Sequence, residues 1–266
     1  MQVKIEAFFI HKTDRGGVDE SEDAFASSEP LNSYVQFRGG GRYSCARFAG
    51  ERLRLAVSDG ISVNSYETGY WAESLAGHFV AQGFFELERL SCWVKIAQEQ
   101  WKGHIAEIEP VDIFEREQKL NGAAATLLGV EIEDYRYRIF AVGDSYAVHV
   151  RGDEIIQIFP KAMERSNAQM VLSSSDLAYN GKIEEKLSLC PEDFFASGLI
   201  FPGDAIFLMT DALAYNFLAA PNVCLFRTMG AKKMVFRKSF WQYREGCLKK
   251  GCLTDDDITM LRASFK

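Results

Sequence analysis

Residues 53–60 read Leu-Arg-Leu-Ala-Val-Ser-Asp-Gly, an apolar run that stops at an aspartate followed by a glycine. The apolar run predicts a β-strand, and Asp-Gly predicts a sharp turn where the strand ends. A carboxylate in this position lies at the rim of a sheet. The stretch therefore predicts a strand that brings the Asp59 carboxylate to such a rim.

The same arrangement occurs three more times along the chain. Apolar strands end at Asp144 and at Asp211, whereas Asp255-Asp256-Asp257 precedes the last apolar strand. In an antiparallel sheet, three strands that end in Asp and one that begins with Asp can share one rim. Clustered carboxylates repel one another unless cations neutralise them, and hard oxygen ligands suit Mg²⁺ or Mn²⁺. The joint pattern predicts a metal centre, although each aspartate alone is more often a turn residue.

The remaining pattern predicts many antiparallel strands, with helices in separate blocks. Strands are expected at 3–10, 24–37, 42–49, 125–132, 136–142, 145–151, 154–159, 205–210 and 257–264, two helices within 66–107, and a helical region near 230–246. Residues 161–198 are Ser/Asn-rich without clear periodicity, which predicts a mobile flap. This order indicates an α+β fold rather than a βαβ repeat, and no linker divides residues 1–266, so one domain is expected.

The composition is that of an ordinary globular protein and argues against some classes. Of 266 residues, 47% are hydrophobic, which is enough for a sizeable core. The net charge of −7 argues against a nucleic-acid partner held by phosphate neutralisation. No signal peptide and no long apolar run are found, so we expect no membrane partner. The six cysteines lack CxxC spacing, and a cytoplasmic protein with reduced thiols is expected.

Other catalytic patterns are missing from the sequence. The chain has no nucleophile elbow and no phosphate-binding P-loop. Its histidines, His11, His78, His104 and His149, show no paired spacing, which disfavours a zinc hydrolase. His149 lies in the strand that follows Asp144, and a structural role is the favoured interpretation.

Five short motifs occur in the order and approximate spacing of a known family. They are Ser21-Glu22-Asp23-Ala24, Val57-Ser58-Asp59-Gly60, Ala141-Val142-Gly143-Asp144-Ser145, Pro202-Gly203-Asp204 with Leu208-Met209-Thr210-Asp211, and Asp256-Asp257-Ile258-Thr259. Over about residues 8–263 the sequence resembles the type 2C, metal-dependent serine/threonine protein phosphatases, in a divergent bacterial branch. The resemblance implies a four-layer α-β-β-α sandwich, in which two antiparallel sheets are flanked by helices.

The resemblance also implies the catalytic metal ligands. Asp59 would bridge two metal ions, and the Gly60 carbonyl would bind one of them. Asp211 and Asp256 would ligate the other ion, and Asp256 is preferred because many relatives have Asn at the position of Asp257. The implied cofactors are two or three Mg²⁺ or Mn²⁺ ions, and a water that bridges two of them would attack the phosphorus.

Three further acidic residues have supporting roles in the same scheme. Glu22 would contact a metal through water, Asp23 would support the ligands, and Asp144 would help to hold a third ion. Two family features are missing. Relatives often have an Arg near the position of Val18-Asp19-Glu20, where it grips the substrate phosphate. They also often have a His or Met and then Gly-Gly where Ile61-Ser62-Val63 follows here.

The implied function is hydrolysis of phosphoserine and phosphothreonine in proteins, as part of signalling. The implied partner is a phosphorylated protein, and the oligomeric state stays open. Two alternatives remain. One is a degenerate phosphatase fold used as a regulatory binding module, which the missing Arg favours and the intact set of aspartates disfavours. The other is a phosphatase of small phosphate esters.

Overall fold

The computed structural model describes residues 1–10, 22–32, 35–36, 41–61, 65–83, 90–160, 170–219, 246, 249 and 256–266. The strands in these ranges are β1 (Gln2–Ile10), β2 (Ala24–Ser27), β3 (Val35–Gln36), β4 (Arg42–Ala49), β5 (Arg52–Ser58), β6 (Ala124–Ala125), β7 (Leu127–Glu133), β8 (Arg136–Val142), β9 (Tyr146–Arg151), β10 (Glu154–Phe159), β11 (Leu172–Ser173), β12 (Phe195–Leu199), β13 (Asp204–Met209) and β14 (Ile258–Phe265). The α-helices are α1 (Thr68–Gln82), α2 (Leu90–Ala106), α3 (Ile113–Asn121), α4 (Leu177–Leu189) and α5 (Asp211–Ala219), and a short 3₁₀ helix spans Pro191–Asp193.

The strands form two large sheets in which every pairing is antiparallel. One sheet has seven strands in the order β10-β9-β13-β14-β1-β4-β3, and the other has five in the order β12-β8-β7-β5-β2. The short strands β6 and β11 pair separately. The first and last strands pair along their length, from Val3 with Phe265 to Ile10 with Ile258.

The two large sheets face each other across an apolar core. Alternate side chains of a strand point to opposite faces, so each strand contributes every second residue to this core. Residues from both sheets that meet there include Ile5, Leu55, Val130, Ile206 and Leu261, all fully buried.

Helices cover the outer faces of both sheets. On the five-stranded sheet, Trp71 of α1, Trp101 of α2 and Leu187 of α4 share a buried cluster with Phe140 of β8. On the seven-stranded sheet, Leu213 of α5 joins a separate cluster. The expected α-β-β-α sandwich is therefore confirmed. None of the helices in the described ranges is long and apolar enough to cross a membrane.

The single strand expected at 24–37 is wrong. The structure has β2 and β3 there, and they belong to different sheets. Between them, Ser28 N–H donates to the Arg54 carbonyl and Asn32 N–H donates to the Cys45 carbonyl, so the chain passes from one sheet to the other. Pro30 lies at the crossing, where its missing N–H is tolerated.

The flap expected at 161–198 is also wrong where the structure describes it. Residues 170–198 contain β11, α4, the 3₁₀ helix and most of β12. The serines and Asp176 there make turns and caps rather than a loose loop, since the Asp176 side chain accepts a hydrogen bond of 2.9 Å from Tyr179 N–H at the start of α4. Residues 161–169 and most of the helix expected at 230–246 lie outside the described residues.

Candidate metal centre

Strand ends from both sheets meet at one rim of the sandwich. Ser58, at the end of β5, pairs with Ala24, at the start of β2. Thr210, just after β13, donates its N–H to the carbonyl of Thr259 in β14 over 3.1 Å. The acidic residues that follow or precede these ends are Glu22, Asp23, Asp59, Asp144, Asp211, Asp256 and Asp257.

Asp59 lies in the middle of this acidic group. Its N–H donates to the Thr126 hydroxyl over 3.0 Å, and its carbonyl accepts from Thr126 N–H over 2.8 Å. Desolvation of the carboxyl raises the pKa of Asp59 well above its usual range, and the negative charges of Asp23, Asp211 and Asp144 raise it further. Asp59 is therefore within electrostatic reach of three other acidic residues.

Asp211 opens α5 and faces the same group. Burial raises its pKa to about 6, and the charges of Asp144 and Asp256 contribute, while a hydrogen bond with Asp59 opposes the rise. Burial likewise raises the pKa of Asp144, although the Tyr215 hydroxyl donates to its Oδ2 over 3.1 Å. Asp144 and Asp256 thus lie within electrostatic reach of Asp211, and Asp144 and Asp211 lie within electrostatic reach of Asp59.

Asp23 is buried behind these residues. Burial is the main reason that the pKa of Asp23 is raised to about 7, and the negative charge of Asp257 adds to the rise. A hydrogen bond of 2.9 Å from the Thr210 hydroxyl limits it. Asp257 accepts from Glu22 N–H over 2.9 Å. Consecutive residues of the last motif therefore face different neighbours. Asp257 faces Glu22 and Asp23, whereas the negative charge of Asp256 raises the pKa of Asp211. Asp255 lies outside the described residues.

Gly60 closes the turn after Asp59. Its N–H donates to the carbonyl of Glu22 over 3.0 Å, and it forms an isolated bridge with Ala125. A Cβ at position 60 would lie 2.6 Å from that carbonyl oxygen, a contact that side chains do not make. Glycine is therefore required for the segment that carries Glu22 to approach Asp59.

Comparisons with known proteins agree on this architecture. No family model and no curated protein sequence matches the chain. The S. agalactiae serine/threonine phosphatase superposes with a TM-score of 0.53 at 16% identity, covering 99% of this chain and 100% of that chain. The Mycobacterium tuberculosis serine/threonine phosphatase PstP/Ppp superposes with a TM-score of 0.55 at 15% identity, covering 100% of both chains. The catalytic domain of the serine/threonine protein phosphatase PstP, in complex with two manganese ions, gives 0.53 at 15% identity, covering 99% of both chains.

The chain has the fold of the type 2C serine/threonine phosphatases. At these identities, the likeness establishes the architecture, and the chemistry depends on the residues of this chain.

The donors at the rim of this phosphatase fold suit a hard divalent cation. They are carboxylates in a desolvated setting, and no described Lys or Arg forms an ion pair with Asp59, Asp144 or Asp211. Within the described ranges, however, no three His, Cys, Asp or Glu side chains are grouped as a ready ligand set. Asp59 instead shares hydrogen bonds with Asp23 and Asp211, so a cation would replace protons as it binds.

Three residues that hold the aspartates of this rim in position were not identified from the sequence. Thr126 holds the Asp59 backbone, Thr210 holds Asp23, and Tyr215 holds Asp144. Only Tyr215 had a local signal, because it follows Asp211 by four residues, the spacing of neighbours on one helix face. That signal depends on recognising α5, which the sequence analysis did not predict.

His149 lies elsewhere in the phosphatase fold. It is buried in the middle of β9, where its Nε2 is 2.9 Å from Asp204 Oδ2 and its Nδ1 is 3.1 Å from the Tyr137 hydroxyl. Asp204 begins β13, and Asp211 follows the opposite end of that strand, so the pair is remote from the acidic rim. This placement agrees with the structural role preferred from the sequence.

Proposed function

We propose that this chain is a metal-dependent phosphatase that hydrolyses phosphoserine and phosphothreonine in proteins. The observation that carries the proposal is the electrostatic influence that Asp59, Asp144, Asp211 and Asp256 have on one another in a chain with a phosphatase fold. Carboxylates raise one another's pKa only when they are close together, and such a group is costly to keep without cations. A cation site at this rim would account for these neighbouring acidic residues.

Two or three Mg²⁺ or Mn²⁺ ions fit the roles implied for these residues. Asp59 and the Gly60 carbonyl would hold one ion, Asp59 would share a second with Asp211 and Asp256, and Asp144 would contribute to a third. When bound, such ions lower the pKa of water to generate a nucleophile and offset charge on phosphoryl oxygens. Glu22 would act through water, and Asp23 would support the ligands from behind.

The residues of the chain itself supply orientation at this site. The Thr210 hydroxyl fixes one carboxyl oxygen of Asp23, and the Tyr215 hydroxyl fixes one carboxyl oxygen of Asp144. Both hydroxyls donate to a carboxylate, which favours its charged form. They therefore oppose the rise in pKa caused by burial and keep these oxygens available to cations.

The biological setting follows from the same proposal. The substrate would be a phosphorylated protein, and the net charge of −7 argues against a nucleic-acid partner. We place the protein in bacterial cytoplasmic signalling, because its described cysteines are free thiols and its motifs resemble those of bacterial phosphatases. We also propose that residues 1–266 form one phosphatase domain, which the pairing of β1 with β14 supports.

The test is a manganese titration of chelator-treated protein, with melting temperature and hydrolysis measured on the same samples. Substrates are a phosphoserine/phosphothreonine peptide and p-nitrophenyl phosphate. Stabilisation with peptide hydrolysis supports the proposal. Hydrolysis of the small ester alone would favour a small-ester phosphatase, and stabilisation without hydrolysis would favour a regulatory binding module. Folded protein that responds to neither Mn²⁺ nor Mg²⁺ would overturn the metal site.

A further inference from the structure

Strand β12 forms one edge of the five-stranded sheet, where it pairs with β8 only among the described strands. Its sequence, Phe-Ala-Ser-Gly-Leu, contains no charged residue and no proline, and its five residues pair with β8 without a register shift. Edges of this kind are open to pairing with another chain unless charge, proline or a bulge protects them. β12 lacks all three protections.

The other edge strands in the described part of the fold are shorter or less regular than β12. β2 has four residues and β3 has two, and the register of β10 shifts between Ile155 and Gln157. A bulge of this kind twists an edge away from a partner. β12 is therefore the longest regular edge strand in the described part of the fold.

The hydrogen-bond pattern shows which residues of β12 face outward. Phe194 accepts from Ala141 N–H over 2.9 Å, and Ile200 donates to the Tyr135 carbonyl over 2.8 Å. Antiparallel ladders bond every second residue, so the even-numbered residues of β12 bond to β8. Ser197 and Leu199 consequently direct their N–H and carbonyl groups away from the sheet.

We propose that β12 pairs with β12 of a second copy of this chain, antiparallel and about a two-fold axis at Ser197. Each Ser197 would exchange two backbone hydrogen bonds with its counterpart. Leu199, 53% exposed in the single chain, would lie opposite Phe195 of the second copy. The strand is self-complementary about its centre because the small Ser197 is flanked by an apolar residue two positions away on each side.

The charges near this edge permit a second copy. Arg138 is paired with Ser197 across the β8–β12 ladder, so the two Arg138 side chains would stand three strand spacings apart, about 14 Å. That separation exceeds the Debye length of about 8 Å at physiological salt. Glu131 also forms an ion pair with Arg138. Repulsion across the axis is therefore weak.

The expected interface is small and reversible. Two five-residue strands with one exposed apolar side chain each bury less than about 1,200 Å² in total, the range of weak complexes. The acidic rim is not part of the pairing, so the dimer would leave the proposed metal centre of each copy accessible. The inference concerns a different surface from the proposed function and is tested without an activity assay.

The test is sedimentation velocity of the full chain from about 1 µM to about 1 mM, which spans the Kd values of weak dimers. We expect a concentration-dependent dimer. Ser197→Lys should raise its Kd at least about 10-fold, because two lysines would face each other with Cβ atoms about 5 Å apart. Ser188→Lys, an exposed serine on α4, is the matched control and should dimerise like the wild type.

A second variant keeps the test decisive if Ser197→Lys fails to fold. Ser197→Pro removes only an outward N–H and is tolerated on an edge strand, so it should fold and weaken the dimer as strongly. Wild type that stays monomeric at about 1 mM would overturn the proposal. So would a folded Ser197 variant that dimerises as well as wild type, since the contact would then lie elsewhere.

Discussion

The Thr210 hydroxyl donates a hydrogen bond of 2.9 Å to Oδ2 of Asp23. The same hydroxyl accepts a hydrogen bond of 3.0 Å from Thr259 N–H. One side chain therefore connects the segment before β2, in one sheet, with the ends of β13 and β14, in the other. Because Asp211 follows Thr210 directly, the contact sets the position of Asp23 relative to Asp211.

Thr210→Val removes this hydroxyl and keeps the shape of the side chain. We expect the Mn²⁺ affinity and kcat/KM to fall by about 10- to 100-fold, the usual effect of losing a group that orients a metal ligand. Isothermal titration with Mn²⁺ measures the affinity. Thr210→Ser restores the donor and should recover most of it. A valine variant that is folded and binds Mn²⁺ like the wild type would show that Thr210 does not position Asp23.

Asp59→Asn and Asp211→Asn each remove one proposed ligand charge. We expect kcat to fall by at least about 10³-fold in each variant, because the cations that activate water are lost. The fold should persist, since removing a charge from a repelling group does not cost stability. Circular dichroism and phosphopeptide turnover measure the two effects. Asp153→Asn, in the exposed turn between β9 and β10, should behave as wild type. Near-normal turnover in either site variant would end the assignment.

The metal-free protein is expected to lose stability as the pH rises from about 4 to about 7. The pKa of Asp211 is raised to about 6 and that of Asp23 to about 7, both from an ordinary value of 3.8. A carboxyl whose pKa is higher in the folded state stabilises the fold below its unfolded pKa. This contribution to stability is lost as the pH rises through the pKa that the carboxyl has in the folded state. Urea unfolding in the presence of chelator measures the free energy at each pH.

Two controls isolate the acidic group in that experiment. Saturating Mn²⁺ should flatten the dependence, because the cation replaces the shared protons, and Asp59→Asn should reduce its slope. The lowered pKa values of Asp204 and Glu131 act below about pH 4, outside this window. Burial lowers the pKa of His78, which adds stability as the pH rises within this window, so the deciding comparison is between wild type and Asp59→Asn. An equal pH dependence of the free energy of unfolding in these two metal-free proteins would contradict the proposed sharing of protons.

Gly60→Ala tests the close approach of the Glu22 segment to Asp59. A Cβ would lie 2.6 Å from the Glu22 carbonyl oxygen, so backbone must shift, and we expect a loss of about 1–3 kcal/mol together with weaker Mn²⁺ binding. Gly77→Ala is the matched control. It lies in α1 with nothing within 4 Å of the added atom and should raise the free energy of unfolding by about 0.5–1 kcal/mol. If Gly60→Ala and Gly77→Ala changed the free energy of unfolding equally, the contact with the Glu22 carbonyl would not exclude a side chain at position 60.

The strand that ends at Asp59 illustrates what can be predicted locally. Leu53, Leu55 and Val57 alternate with less apolar residues, and the structure buries all three between the sheets. The pattern and the Asp-Gly turn are properties of neighbouring residues, so no tertiary information was needed to place the carboxylate at a strand end.

Residues 170–198 illustrate what local patterns conceal. The serines there suggested an irregular segment, yet the Ser174 hydroxyl accepts a hydrogen bond of 2.7 Å from Ala123 N–H, which ties the segment to the chain just after α3. Asp176 caps α4, whose Ile183 and Leu187 are buried against other helices. Capping residues and loop residues are the same residue types, and only the packing of α4 distinguishes the two outcomes.

The sequence by itself determined that aspartates end three apolar strands and precede a fourth, because strand period and turn chemistry act over a few residues. Only the tertiary structure decided that these ends meet at one rim, that Asp256 and Asp257 face different neighbours, and that Thr210 holds Asp23. The raised pKa values of Asp23, Asp59 and Asp211 depend on it as well. They arise from burial and from charges distant in sequence, and only the packing of the two sheets brings these together.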